Sequence, residues 1–192
     1  VSRSFVGIVL AGGRSERASF VKALGRIDGE PLVLRAVRTL KDAGAAHVIV
    51  VVAPPHDAAI LPVLEQVEVA PNPQPELGMA SSLRVGMRAA LAHSPDVVVF
   101  SLIDHPRVGA STVKRLIEAT VAGAVRPKHG ATTGHPVAVS RQVAEALAAM
   151  SPDRTARDVL ERFPLLDLEV DDPGVIDDLD TAEELAAARV TR

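Results

Sequence analysis

The chain has 192 residues, 47% of them apolar and 23% charged, which is enough material for one sizeable core and too hydrophobic for a disordered segment. A net charge of −3 gives no overall basic field for nucleic acid or an anionic membrane, so any attraction for anions has to be local. Cysteine, tryptophan and tyrosine are all absent, which excludes disulfides, thiolate metal sites, a cysteine nucleophile and most base-stacking surface.

In chain order, Phe5 to Leu10 is expected as a strand, followed by Ala11-Gly12-Gly13 and a loop carrying Arg14, Arg17 and Lys22. Pro31 to Ala43 reads as a helix, with Pro31 in its first turn, Gly44 as its stop and Leu32, Ala36, Leu40 and Ala43 as its apolar stripe. His47 to Ala53, containing five consecutive valines and isoleucines, is a second strand, and Val97 to Ile103 a third. Continuous apolar runs of this kind fit strands covered on both faces. Met79 to Ala92 and Ser111 to Ala122 are expected helices, and Pro71-Asn72-Pro73-Gln74-Pro75 is a stiff loop rather than a domain linker. Further on come a strand at Val137 to Val139, helices at Gln142 to Met150 and Arg154 to Arg162, and a strand at Leu166 to Val170. Thr181 to Arg189 closes the chain as a helix with Asp180 as its N-cap. The alternation predicts right-handed crossovers and a three-layer α/β sandwich in a single domain spanning residues 1–192. No apolar run reaches the roughly 18 to 20 residues of a membrane span, and no signal pattern precedes the first strand, so a cytoplasmic protein is expected.

Ligands of open parallel sheets bind beyond the carboxyl ends of the strands. The first such loop lacks both the GxxxxGK and the GxGxxG spacings, yet Gly12 and Gly13 allow backbone N–H groups close to phosphate oxygens, and Arg14, Arg17 and Lys22 bring charge. A surface turn with solvated cations would use the same residues. Asp104 stands where the third apolar strand stops; it suits a Mg²⁺ ligand, or a cap for the next helix. His105 beside it is a candidate base or ligand, or a packed histidine. Asp177, Asp178 and Asp180 form a late acidic cluster in which one carboxylate could complete a metal site with Asp104. Ser81 and Ser82 open a helix with free N–H groups, suited to a base edge or an anion. Gly134 and His135 lie in a small-residue loop, where His129 and His135 lack the third ligand of a convincing zinc set.

The stretch Leu10-Ala11-Gly12-Gly13-Arg14-Ser15-Glu16-Arg17, with Lys22 following, resembles the L-A-A/G-G-x-S-x-R-M-G-x-x-K signature of the molybdopterin guanylyl- and cytidylyltransferases, the MobA/MocA-like nucleotidyltransferases. The Gly78 to Leu83 segment, Asp104-His105-Pro106 for D-Q-P, Gly134-His135-Pro136 and Asp180-Thr181-Ala182-Glu183-Glu184-Leu185 for D-T-P-E-D-L follow in family order. The resemblance implies a Rossmann-like, GT-A-type fold with a mostly parallel sheet, and Mg²⁺-dependent attack of a phosphorylated acceptor on the α-phosphorus of an NTP. By the same resemblance, Leu10, Ala11, Gly12, Gly13, Lys22, Ser81 and Ser82 bind the nucleotide, and Arg17, Lys22 and Asp104 are catalytic. Asp104 and Asp180 are the implied metal ligands, and His105, Gly134, His135 and Arg157 are acceptor-side candidates. Molybdopterin is the expected acceptor, a molybdoenzyme a further partner, and nucleic acid and membranes are not expected partners. Ala11-Gly12-Gly13 favours the guanylyl branch, whereas Ser81-Ser82-Leu83 and Gly134-His135-Pro136 favour the cytidylyl branch, giving CMP a slight preference. Ala18-Ser19 in place of Met-Gly, His105 in place of glutamine, and the loss of both glycines from a G-D-x-G-A-R-like segment at Ser151 to Arg157 depart from the pattern. Transfer to a sugar or polyol phosphate, or a non-catalytic nucleotide-binding role in molybdoenzyme maturation, are the alternative readings.

Overall fold

The computed structural model describes residues 3–12 and 21–179. Gly13, Arg14, Arg17, Ala18, Ser19, Asp180 and the closing helix expected from Thr181 lie outside the described residues.

The elements run β1 (Phe5–Leu10), β2 (Arg26–Ile27), β3 (Glu30–Pro31), α1 (Leu32–Asp42), β4 (His47–Val52), α2 (Asp57–Ile60) and β5 (Glu68–Pro71). They continue with α3 (Met79–Leu91), β6 (Val97–Leu102), α4 (Ala110–Ala119), β7 (Ala124–His129), β8 (Thr132–Thr133), β9 (Val137–Ser140), α5 (Arg141–Ala148), α6 (Ala156–Leu160) and β10 (Leu165–Glu169). Eight strands form one sheet in the order β10-β7-β9-β6-β1-β4-β5, with β8 added against β7. The pairs of β1 with β4 and β6, of β4 with β5 and of β7 with β10 are parallel, whereas β9 runs antiparallel to β6 and β7. This is the mostly parallel Rossmann-like sandwich that the alternation and the motif resemblance both predict.

Each apolar run feeds two cores at once. Phe5, Val9, Val48, Val50, Val97 and Val99 pack with α1 and α4 on one face. Val6, Ile8, Ile49, Val51, Val98 and Phe100 pack with α3, α5 and α6 on the other. Two glycines bring helices down onto the sheet. A Cβ on Gly7 would meet Leu40 of α1 at 2.8 Å, and one on Gly86 of α3 would meet Ile8 at 2.7 Å.

Several boundaries differ from the sequence reading for local reasons. The helix expected from Arg154 begins at Ala156, because Thr155 and Asp158 form a reciprocal capping box that fixes the start. The helix expected to reach Ala122 ends at Ala119, where Thr120 turns to ψ 93 and its hydroxyl donates to the Leu116 carbonyl at 2.7 Å. Pro31 is the residue before α1 rather than within it, and pairs with Arg26 in the small β2–β3 hairpin. Pro71, assigned to a loop, is the last residue of β5.

Candidate active site

The carboxyl ends of β1, β4 and β6 lie side by side and carry the site. Beyond β1, Ala11 donates its N–H to the Val51 carbonyl at 2.9 Å, continuing the sheet one residue past the strand. Gly12 then passes so close to its neighbours that a Cβ would sit 3.1 Å from the Ala53 Cβ and 3.2 Å from the Ser82 Oγ. A side chain there would have to press Ala53 and Ser82 aside by a few tenths of an ångström, and the contact joins the first loop to the start of α3.

Ser81 and Ser82 are both buried. Their hydroxyls accept from the Asn72 amide at 2.8 and 3.0 Å, while Asn72 Oδ1 accepts from the Gln74 N–H at 3.0 Å. The Ser81 hydroxyl also lies 2.9 Å from the Gln74 carbonyl and 2.8 Å from that of Gly78. Ser81 is therefore committed to bracing the entry of α3, and Ser82 is the serine that faces Gly12. Asn72 was missed by the sequence reading. The sequence shows only an asparagine between Pro71 and Pro73 ahead of a Ser-Ser helix start, which does not say which way its amide points.

Beyond β6, Asp104 does not cap α4; Gly109 occupies that position. One Asp104 oxygen lies 2.9 Å from His105 Nδ1 and the other 3.9 Å from Lys22 Nζ. An ionised carboxylate only accepts, so His105 Nδ1 carries the proton and donates it to Asp104. Burial raises the Asp104 pKa, but the His105 hydrogen bond and the charges of His105 and Lys22 outweigh it, leaving the carboxyl below its ordinary value. Arg35 of α1 donates to the Pro106 carbonyl at 2.8 Å and ties down this turn.

The late acidic segment reaches the same turn. Leu179 donates its N–H to the Asp104 carbonyl at 3.0 Å. Asp178, Asp104 and His105 each place a donor atom within 4.8 Å of the others. Asp178 is thus the acidic residue that the described structure brings to Asp104. Asp177 instead pairs with Arg107.

Between the sheet, the start of α3 and α6 lies a cavity of about 870 Å³. Leu10, Ala80, Gly134, His135 and Arg157 all line it, so one expected nucleotide-binding position and three acceptor-side candidates share a single space. His105 borders it indirectly: its ring meets the edge of the His135 ring at 5.2 Å. His135 Nδ1 is buried with no hydrogen-bond partner among the described residues. Burial, then the charge of His105, lowers the His135 pKa to about 4 against a smaller opposing pull from Asp104, so the ring is neutral at pH 7. His129 serves the scaffold, its Nδ1 lying 3.0 Å from the Val170 carbonyl.

An open, mostly parallel sheet with this constellation beyond its strand ends defines the class of Rossmann-like nucleotidyltransferases. The chain belongs to the family described as the MobA-like NTP transferase domain, whose model matches residues 7–168. It is 29% identical to the nicotine blue oxidoreductase of Paenarthrobacter nicotinovorans, the alignment covering 93% of each chain. It is 31% identical to a molybdenum cofactor guanylyltransferase of Xanthomonas euvesicatoria pv. vesicatoria, over 61% of this chain and 56% of that one. Among solved structures, Rv0371c of Mycobacterium tuberculosis superposes with a TM-score of 0.80 at 25% identity, covering 96% of this chain and 97% of the other. A complex of that mycobacterial protein with manganese superposes at a TM-score of 0.73.

Proposed function

We propose that the protein transfers a nucleoside monophosphate from an NTP to a phosphorylated small molecule of the molybdopterin type, with CMP preferred slightly over GMP. An oxygen of the acceptor phosphate attacks the α-phosphorus, the bond from that phosphorus to the bridging oxygen breaks, and pyrophosphate leaves with the electron pair. Phosphoryl-type transfer of this kind needs positioning and charge neutralisation rather than a protein nucleophile. Gly12 and Gly13 would admit the triphosphate, and Arg17 and Lys22 would neutralise it. Asp104 would hold Mg²⁺ with Asp180, and Asp178 adds a second carboxylate from the same segment. The cation would offset charge developing on the phosphate oxygens. The donor set fits such an ion, since Asp104 and Asp178 supply hard oxygens and the His105 proton aims the Asp104 carboxylate. His135 and Arg157 would contact the acceptor in the cavity.

The observation that carries the reading is the meeting of Lys22, Asp104, His105 and Asp178 at the strand ends beside the cavity. The test is pyrophosphate release with Mg²⁺, each of the four NTPs and molybdenum cofactor, followed by a panel of sugar and polyol phosphates. Turnover only with the latter would move the acceptor, and silence with every pair would sink the proposal. The nearly end-to-end likeness to a protein named nicotine blue oxidoreductase favours one rival, an oxidoreductase acting on nicotine blue. A protein-dependent change in the redox state of nicotine blue, with no pyrophosphate release, would establish that rival.

A further inference from the structure

We propose that His47, Glu68 and His93 form a second metal site, for Zn²⁺ or a similar transition-metal ion, at the end of the sheet opposite the candidate active site. His47 is the first residue of β4 and Glu68 the first of β5, and the two strands are parallel neighbours with Ile49 opposite Glu68. Side chains alternate along a strand, so His47 shares the face of Ile49 and Val51, the face on which α3 packs. His93 follows directly on Ala92, the C-cap of α3, and arrives on that same face. His47 is five steps from the last of the six residues of β4, a span of about 17 Å.

The three side chains are already gathered at one point. The His47 and His93 rings stack with centroids 3.9 Å apart and planes 19° from parallel. His93 Nε2 lies 2.9 and 3.2 Å from the two Glu68 oxygens. One donor atom from each of the three lies within 4.8 Å of the others. Tetrahedral zinc with bonds of about 2.0 to 2.2 Å needs donors roughly 3.4 Å apart, so binding requires the two rings to turn out of their stack until a nitrogen of each faces the ion, a rearrangement that the exposure of His47 and Glu68 leaves room for. The hydrogen bond accounts for Glu68 and His93 and the stack for the two rings; an ion bound by all three would draw on the same gathered side chains.

The donor types choose the metal. Two imidazoles and one carboxylate favour Zn²⁺, Co²⁺, Ni²⁺ or Cu²⁺ over Mg²⁺, whereas the Asp104 group offers two carboxylates and a histidine already bonded to one of them. Three protein ligands leave a fourth position for water or a donor from another molecule. Because the ligands converge only in the fold, a bound ion ties the starts of two strands to the end of a helix and stabilises the folded chain by mass action.

The experiment uses chelator-stripped protein in excess Mg²⁺, titrated with Zn²⁺ against a chromophoric indicator, with histidine ring resonances followed in parallel. The parent protein and Asp104→Asn should each bind one equivalent that shifts the His47 and His93 signals. The His47→Ala/His93→Ala double variant should lose that equivalent and keep its Mg²⁺-supported turnover. Glu68→Gln, which preserves shape, should weaken binding by at least about tenfold and serves if the double variant does not fold. Absence of zinc binding in the parent, unchanged stoichiometry in the double variant, or loss of the equivalent in Asp104→Asn would each overturn the proposal.

Discussion

Replacing Asp104 by Asn separates the charge of this side chain from its shape. The amide oxygen can still accept the His105 Nδ1 proton, now found at 2.9 Å on the carboxylate, so the local turn should persist. Two electrostatic relations change. Lys22 Nζ, 3.9 Å away and only 8% exposed as a residue, loses a partner whose attraction is about 4 kcal/mol at an effective dielectric near 20. A divalent ion held between Asp104 and the late acidic segment would lose the Asp104 carboxylate. Metal charge stabilisation is worth several kcal/mol, and each 1.36 kcal/mol is about tenfold in rate, so we predict a fall in kcat of at least about 10²-fold. Steady-state pyrophosphate release gives kcat and KM separately, and paramagnetic relaxation by Mn²⁺ reads the metal affinity directly. Turnover within about threefold of the parent, or unchanged Mn²⁺ affinity, would remove Asp104 from the mechanism. A rise in KM alone would show that it only shapes the nucleotide pocket.

Two further predictions probe how the site is held. Gly134→Ala places a Cβ 1.8 Å from the Val175 carbonyl oxygen, so the loop bearing His135 must part from the segment leading to Asp178; we expect a melting temperature at least about 5 °C lower together with lost activity, and an unaltered melt would contradict the packing. On acidification, the pKa of Asp158, depressed by the Thr155 N–H and hydroxyl, and that of Asp167, depressed by Arg126, both lie below the ordinary 3.8. Their stabilisation is therefore complete above the unfolded value and is lost as pH falls through the folded values, so Asp158→Asn/Asp167→Asn should flatten the decline in melting temperature below about pH 4, and an identical acid slope would refute the assignment.

The parts of this molecule that were legible in its sequence are those where one physical signal dominates. Val48 to Val52 and Val97 to Phe100 are apolar at every position because both sheet faces are covered, and such runs read as strands without further help. Ala124–His129 is just as much a strand, but its Arg126, Pro127 and Lys128 hide the pattern, and it is held by pairing with β10, β9 and β8. Glu68–Pro71 is four residues at the sheet edge and ends on a proline, so nothing local announces it. The same division runs through the sites. Asp104 stands at a predictable strand end. The joining of His47, Glu68 and His93, by contrast, depends on which strands are neighbours and where α3 stops, facts that no spacing along the chain encodes.

What brings the late acidic segment to Asp104 is backbone clamping rather than attraction between charges, since carboxylates repel. Gly134 and Gly174 let main chains touch where a Cβ would lie 1.8 Å from Val175 and 2.5 Å from Arg107. Asp172 accepts from the Gly109 N–H at 2.9 Å, the Thr112 hydroxyl at 2.6 Å and the Gly174 N–H at 3.0 Å, fastening the segment to the start of α4. Buried Val175 and Leu179 then hold both ends of Asp177-Asp178 in place, with Leu179 bonded to the Asp104 carbonyl. The like charges of Asp104 and Asp178 are thus brought near one another by contacts that would form whether or not a cation is bound. A cation that arrives there relieves the repulsion without having to organise the loop, which is the condition for tight binding by a small donor set.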